Sequence, residues 1–544
     1  MRVDCYPISL LPRLSRLFLD YTESHEPLSP FYAASPWSWK STLPEQSAAH
    51  RAALADLLRE QNLAWGAGEK ALANIEKLRA GAPAIVTGQQ VALFGGPLFT
   101  LFKAATAIRR TRKMGAVPIF WLASEDHDLA EVDHVTLPAR HALHTLRLHS
   151  DGQHASQPVG AIPLGPHIAQ LLDRAAGLIG GTPEFDLLAA AYTPSATYAS
   201  AFARFLSAVF ADSGLIVLDA SSRAFHALGA PVLRHAIENA ASLEAALHER
   251  DHLLAERGYH SQVLVAPGSS LLFLVDEATG ARLPLRRKNG SWITAHSGAL
   301  PSSPQLRQGG SEKTTYTTED LLAILSIAPE RLSPNALLRP VFQDYLLPTA
   351  AYIAGPAEIA YFAQSQVLYE SILGRTTPVL PRLSATLIEP SIAKVLAQHE
   401  LSLADVLSAH PDELAHRLGA RALPIEGKLQ LAAAGNALDA ELQPLLAWME
   451  SLSPDLGRSA QVSASKMRYQ MNRLRRLAAN YQLQREGSIR RHVDTLFFNL
   501  FPDRHPQERS IGGAAWLSRA GSSLVSTLID QSADDCPGHK AIWL

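Results

Sequence analysis

Residues 83–128 read PAIVTGQQVALFGGPLFTLFKAATAIRRTRKMGAVPIFWLASEDHD, and this stretch decides the fold. Pro83–Thr87 is a short apolar run closed by Gly88. Pro97 stands where a helix begins, a position that suits a residue with no amide hydrogen. Leu98, Phe102, Ala105 and Ile108 give that helix one apolar face. Val117–Ala123 is a second apolar run that reads as a buried strand. Strand, helix and strand within about forty residues make a βαβ unit and therefore a parallel sheet.

Upstream of this unit, residues 1 to about 80 read as helices, with Leu54, Leu57, Leu58, Leu72, Ile75 and Leu78 at helical spacing. Downstream, 135–165 reads as short strands and turns, followed by helices to about 211. Leu215–Asp219 is another core strand and 229–257 a long helix. Val263–Thr294 alternates between turns at Gly268, Gly280 and Asn289–Gly290, which predicts a small antiparallel meander inserted into the main sheet. Residues 298–311 are rich in Pro, Ser, Gly and Gln and read as a surface loop. Ala350–Ala354 precedes Gly355–Pro356 and a helical pattern through Ile372, and Val379–Ile388 is a last strand. Beyond 390 the periods are helical, and Met467, Met471, Leu474, Ala478 and Tyr481 alternate by four and three as a short heptad seam.

Open parallel sheets bind ligands beyond the carboxyl ends of their strands. The first strand runs into TGQQ and a glycine turn, where Gly88, Gln89, Gln90, Gly95 and Gly96 form a candidate anion or nucleotide pocket before the free amides of a helix. Lys103 lies within that helix, and its side chain leans back towards the turn. The second strand ends in Glu125, Asp126, His127 and Asp128, candidates for acid–base work or for gripping an ammonium group. In an extended chain Glu125 and His127 would face one way, Asp126 and Asp128 the other. These acids would tend to keep the imidazole protonated. His127, His134, His141 and His144 raise a metal alternative, but their spacing matches no zinc signature, so no metal ligands are assigned and any metal requirement stays open.

The chain has 544 residues, a formal charge of −2 and 47% hydrophobic residues. That length exceeds one hydrophobic core, so two or three domains are expected. No apolar run is long enough to span a membrane, and the amino terminus lacks a signal-peptide pattern, which makes cytosol the expectation. Only Cys5 and Cys536 occur, which excludes a disulfide framework or cysteine-based zinc site on the sequence reading. The near-neutral charge argues against nucleic acid as a partner. Lys466–Arg491 carries eight basic residues and one acid, Glu486, and reads as a solvated helix face.

Four stretches carry a resemblance over essentially the whole chain: TGQQ-x-x-LFGGPL-x-T-x-x-K from Thr87 to Lys103, FWLASEDHD from Phe120 to Asp128, SPNALLRPVFQDYLLPTAAYIAGPAEIAYF from Ser333 to Phe362, and LFPDRHPQER from Leu500 to Arg509. In these motifs the sequence resembles the BshC family of bacillithiol biosynthesis, described as cysteine ligases. Ala92 stands where glycine is frequent and Phe99 where tyrosine is usual.

The resemblance implies an α/β fold. Its Rossmann-like parallel-sheet core would be related to class I aminoacyl-tRNA synthetases and nucleotidyltransferases. It would span residues 1–390 with inserted segments near 135–210 and 260–315. A helical coiled-coil domain over 391–500 and a C-terminal segment over 501–544, packing back on the core, would follow. The implied reaction joins the carboxyl of L-cysteine to the amine of glucosaminyl malate. Such a step is uphill in water, so ATP or another nucleotide is the expected cofactor, and a homodimer through the helical domain is the expected assembly. On this reading Lys103, Glu125, Asp126, His127 and Asp128 are catalytic, and Gly88, Gln89, Gln90, Gly95 and Gly96 bind the cofactor. Asn335, Arg339, Gly355, Glu358 and Tyr361 bind substrate, with Arg339 a fork for the malate carboxylates. Glu358 has an alternative role as a first-turn acid of its helix. A nucleotide- or tRNA-dependent transferase on the same core, or a non-catalytic pathway scaffold, are the competing readings.

Overall fold

Five strands, each buried on both faces, form a wholly parallel sheet. Its order is Val379–Pro381, Thr349–Ala354, Ala84–Gln89, Val117–Leu122 and Ile216–Asp219. Continuous apolar runs such as Val117–Leu122, buried at every position, are what a sheet covered on both sides demands. The chain starts at the central strand Ala84–Gln89 and moves outward through Val117–Leu122 and Ile216–Asp219. It then returns to the other side with Thr349–Ala354, so the order reverses beside Ala84–Gln89. That reversal opens a crevice at the carboxyl ends of the two strands it separates. Helix Phe99–Thr111 follows the first strand and helix Pro356–Leu373 follows Thr349–Ala354.

This computed structural model describes residues 2–24, 26–40, 42–112, 114–139, 142–149, 154, 156–294, 314–533 and 535–544. The loop expected over 298–311, and His141 of the histidine group, lie outside the described residues. The chain divides into two units: Cys5–Ala385 with Glu508–Lys540, and Met1–Asp4 with Thr386–Gln507 and Ala541–Leu544.

In the first unit the expected meander is a five-stranded antiparallel sheet. Its order is Thr314–Tyr316, Ser291–Thr294, Arg282–Lys288, Ser269–Val275 and Leu332–Pro334. Three expectations need correction. The amino-terminal region is not only helical: a strand, Val3–Tyr6, precedes its helices. The helix expected over 229–257 is two, Arg223–Glu238 and Ala240–Glu256, because Asn239 leaves helical geometry (φ −110°, ψ 18°). The strand expected over 379–388 is also two, Val379–Pro381 and Ala385–Ile388, which belong to different sheets.

The cysteine expectation is overturned as well. Cys5 and Cys536 form a disulfide, with Cα atoms 5.9 Å apart across a sequence separation of 531 residues. Strand Val3–Tyr6 lies beside strand His539–Trp543, so the two ends of the chain are neighbours, which spacing along the sequence could not reveal.

The second unit is helical. Its two longest helices, Ile425–Leu452 and Pro454–Arg485, are joined through Ser453 and pack on each other around Leu442, Leu446 and Ala464. The heptad positions Met467, Leu474 and Tyr481 are not in that packing and stand 50%, 55% and 65% exposed. No helix among the described residues is long and apolar enough to cross a membrane.

Candidate functional site

A cavity of about 390 Å³ occupies the crevice where the strand order reverses. Gly88, Gln89 and Gln90 reach it from the first strand, Asp126 from the second, and Gly355, Glu358 and Tyr361 from the turn and helix after Thr349–Ala354. Lys103 and Arg339 complete the set of expected residues that line it.

Lys103 is almost fully buried, and all three of its protons are used. Nζ donates to Gly88 O at 2.7 Å and Gln89 Oε1 at 2.9 Å, and pairs with Glu358 Oε2 at 2.5 Å. Burial pushes the ammonium down to about 8 against the pull of Glu358, so it remains charged at neutral pH. Burial would raise the Glu358 carboxyl, but Lys103 and the bonds from the Gly355 amide and the Tyr352 hydroxyl hold it below the usual range. Glu358 accepts from Gly355 N at 2.7 Å, the first-turn role weighed as its alternative, and its side chain also lines the cavity. Arg339 donates to the Tyr361 hydroxyl at 2.8 Å and to Gln343 Oε1 at 3.2 Å, which are neutral partners that leave its charge available. Gln90 donates to both Asp126 and Glu131 at 2.6 Å and holds these two acids together.

Gly95 and Gly96 do not line the cavity. The Gly95 amide donates to the Tyr192 hydroxyl at 2.9 Å, the Gly96 amide to Leu93 O at 3.0 Å, and the Leu98 amide to Ile511 O at 2.9 Å. The helix start thus has no open row of donors for an anion, which corrects the expected role. At Gly95, with φ +79°, an added Cβ would stand 2.5 Å from Phe205, so this glycine serves a close packing contact.

The acidic run also departs from the extended pattern. The strand stops at Leu122, and the turn that follows separates its side chains. Asp126 faces the first cavity. Glu125 turns to the buried His226, with Oε1 2.9 Å from Nε2, and Asp128 lines neither this cavity nor the one beside it. His127 and Asn335 belong to that neighbouring cavity. Asn335 Oδ1 accepts from the amides of Leu337 and Leu338 at 3.0 Å, a turn-forming use of its side chain. The expectation of a protonated His127 is reversed: burial and the nearby Arg282 lower its imidazole below its ordinary value and outweigh Asp126 and Asp128.

Among the residues of the first cavity that the sequence reading did not assign are two arginines, Arg382 and Arg509. Arg382 follows the end of strand Val379–Pro381, so the strand-end rule that found the other residues could have found it. Its Nη2 pairs with buried Glu508 Oε1 at 2.5 Å, and its Nε has no hydrogen-bond partner among the described residues. A Cβ at Gly355 would lie 3.7 Å from that Nε, in ordinary van der Waals contact with it. Arg509 was present in a quoted motif without a role. Phe99, the departure from the usual tyrosine, lies under both guanidinium groups, 5.2 Å from Arg382 and 5.7 Å from Arg509.

Among the described residues no group of three His, Cys, Asp or Glu side chains could hold a metal ion.

Comparison with known proteins places this geometry in a family. Residues 1–383 match the family model "Bacillithiol biosynthesis BshC, N-terminal Rossmann-like domain", and residues 385–542 match the corresponding C-terminal coiled-coil domain. A relative from Koribacter versatilis named "Putative cysteine ligase BshC" is 40% identical over 99% of both chains. Relatives of the same name from Solibacter usitatus and Salinibacter ruber are 33% and 30% identical, covering 100% of both chains in the first case and 98% and 97% in the second. With both of its domains matched and these relatives aligned along nearly its full length, the chain belongs to the BshC family of bacillithiol biosynthesis.

Proposed function

We propose that this protein forms the amide bond between the carboxyl of L-cysteine and the amine of glucosaminyl malate, the last step towards bacillithiol, using a nucleotide to activate the carboxylate. The carrying observation is Arg382, a buried guanidinium of the cavity lining whose Nε–H has no hydrogen-bond partner among the described residues. An unsatisfied buried donor costs about 1–3 kcal/mol, so a site that retains one is built to receive an acceptor. With Lys103, Arg339 and Arg509 on the same walls, that acceptor is an anion.

The donor set fits a nucleotide, whose phosphate oxygens Arg382 and Arg509 would hold. When bound, the nucleotide supplies the driving force that a free carboxylate lacks. Lys103 supplies fixed positive charge where negative charge grows during activation. Arg339 forks the malate carboxylates, and Asp126 is placed to hold the amine. The exposed heptad face of helix Pro454–Arg485 pairs with a second copy to give a homodimer.

Purified protein incubated with cysteine, glucosaminyl malate and ATP should yield the cysteine amide by mass spectrometry. Cells lacking the protein should accumulate glucosaminyl malate, and normal thiol levels in those cells would refute the reading.

A further inference from the structure

A second cavity of about 380 Å³ adjoins the first and shares Trp121, Ala123, Asp126 and Arg339 with it. Its wall carries His127 and, from the inserted antiparallel sheet, Phe273 and Arg282. Arg282 is 6% exposed and held on three sides. Its Nε donates to Ser333 Oγ at 2.9 Å, its Nη2 to Pro334 O at 2.8 Å, and its Cζ lies over the Phe273 ring, 3.7 Å from the ring centre. The remaining amino group, Nη1, stands 3.3 Å from His127 Nδ1.

A guanidinium has only donors and keeps its charge throughout the physiological range. The contact can therefore run one way only, with His127 Nδ1 accepting. A neutral imidazole whose Nδ1 carries a lone pair has its proton on Nε2. An imidazolium would set one N–H against another and one positive charge against another.

We propose that Arg282 is a positioning residue that fixes His127 as the neutral, Nε2-protonated tautomer, so that His127 donates a hydrogen bond to a ligand oxygen in the second cavity and does not take a proton from the attacking amine. The ligand oxygen is a carboxylate, carbonyl or phosphoryl oxygen, and its assignment rests on the amide-forming reading above. The charged groups that face the ring are Arg282 from the inserted sheet and Asp126 and Asp128 from its own loop, with Asp126 Oδ1 3.7 Å from Nδ1. Burial and Arg282 together lower the imidazole despite the two acids, the direction that this tautomer requires. The His127 side chain remains 33% exposed and lines the second cavity. Asp126, on the wall common to both cavities, is then the carboxylate left to receive the amine's proton.

The test reads the tautomer directly. Full-length protein labelled with nitrogen-15 at histidine is followed between about pH 6 and 8, the range that brackets an ordinary imidazole. The His127 signals are assigned by difference from His127→Asn. The expected spectrum is that of a neutral ring protonated at Nε2, unchanged across the range. Arg282→Met should give a mixture of tautomers that titrates near the ordinary histidine value, and Arg282→Lys, which keeps a charged donor, should restore the single tautomer. A wild-type ring that is protonated at Nδ1, or that titrates as an imidazolium, overturns the proposal. So does a folded Arg282→Met with the wild-type spectrum. The wild-type spectrum decides the matter even if both variants misfold. It is also independent of product formation, so failure of the ligase reading would appear separately, as absence of the amide.

Discussion

In the parallel-sheet unit charged groups are buried at the first cavity and beside it: Lys103 is 3% exposed, Arg382 7% and Glu508 3%. In the helical unit the contrast runs the other way, with Trp448, Leu474 and Leu477 more than half exposed. Both are costly, and each cost has a different reason to persist. Taking an ion out of water costs several kcal/mol even after relaxation, so buried ions are retained where they are paired and where a ligand completes them. An apolar stripe in water is retained where another surface covers it. On the function proposed above, the buried charges around Lys103 and Arg382 serve a small-molecule ligand, and the exposed apolar stripe of helix Pro454–Arg485 serves self-association.

The largest expected effect breaks the first half of this contrast. Glu508→Leu leaves Arg382 buried without its carboxylate and should cost about 3–5 kcal/mol in denaturant unfolding. Adding Arg382→Met should recover most of that loss while abolishing anion binding. If the single variant is as stable as the wild type, the pair is solvated and the contrast fails. Lys103→Met should follow, slowing amide formation by about 10²–10³-fold, the usual consequence of removing a fixed charge at a developing negative centre. Steady-state rates at saturating substrate check it, with circular dichroism confirming the fold.

The assembly half is probed by Leu474→Glu, which should weaken self-association by about ten- to a hundredfold, or roughly 1.4–2.8 kcal/mol. Sedimentation velocity over a concentration series reads this directly, and a wild-type monomer at micromolar concentration would remove the second half of the comparison. The smallest effect is a pH dependence. Lys103 is protonated below about 8 and loses its charge above it, because burial depresses the ammonium. Affinity for the anionic substrate should therefore fall as pH rises through that value, by up to about tenfold between pH 7 and 9. In Lys103→Met that component should be absent, as calorimetry at both pH values would show.

What was legible in the sequence follows from how local each signal is. The βαβ unit was readable because strand, helix and strand lie within residues 84–122 and announce themselves by apolar runs. Gly88, Gln89, Gln90 and Asp126 were readable because a parallel sheet places its ligands at strand ends. Arg382 stands just past a strand end and Arg509 in a quoted motif, but only folding shows that both guanidinium groups reach the cavity of Lys103. Arg282 was hidden for the same reason: it reaches His127 across a sequence separation of 155 residues, from a strand that alternates like any exposed hairpin. Gly95 misled because glycine before a helix is the signature of an anion site, whereas here it makes room for the Phe205 ring. The heptad seam was legible as a pattern, but the sequence could not show that the partner helix Ile425–Leu452 would leave it uncovered.

The bond between Cys5 and Cys536 closes the 531-residue separation between them into a covalent ring. A ring answers to a single cut differently from a line. One proteolytic nick anywhere between these two cysteines adds a molecule of water to the mass and separates nothing; two fragments appear only after reduction.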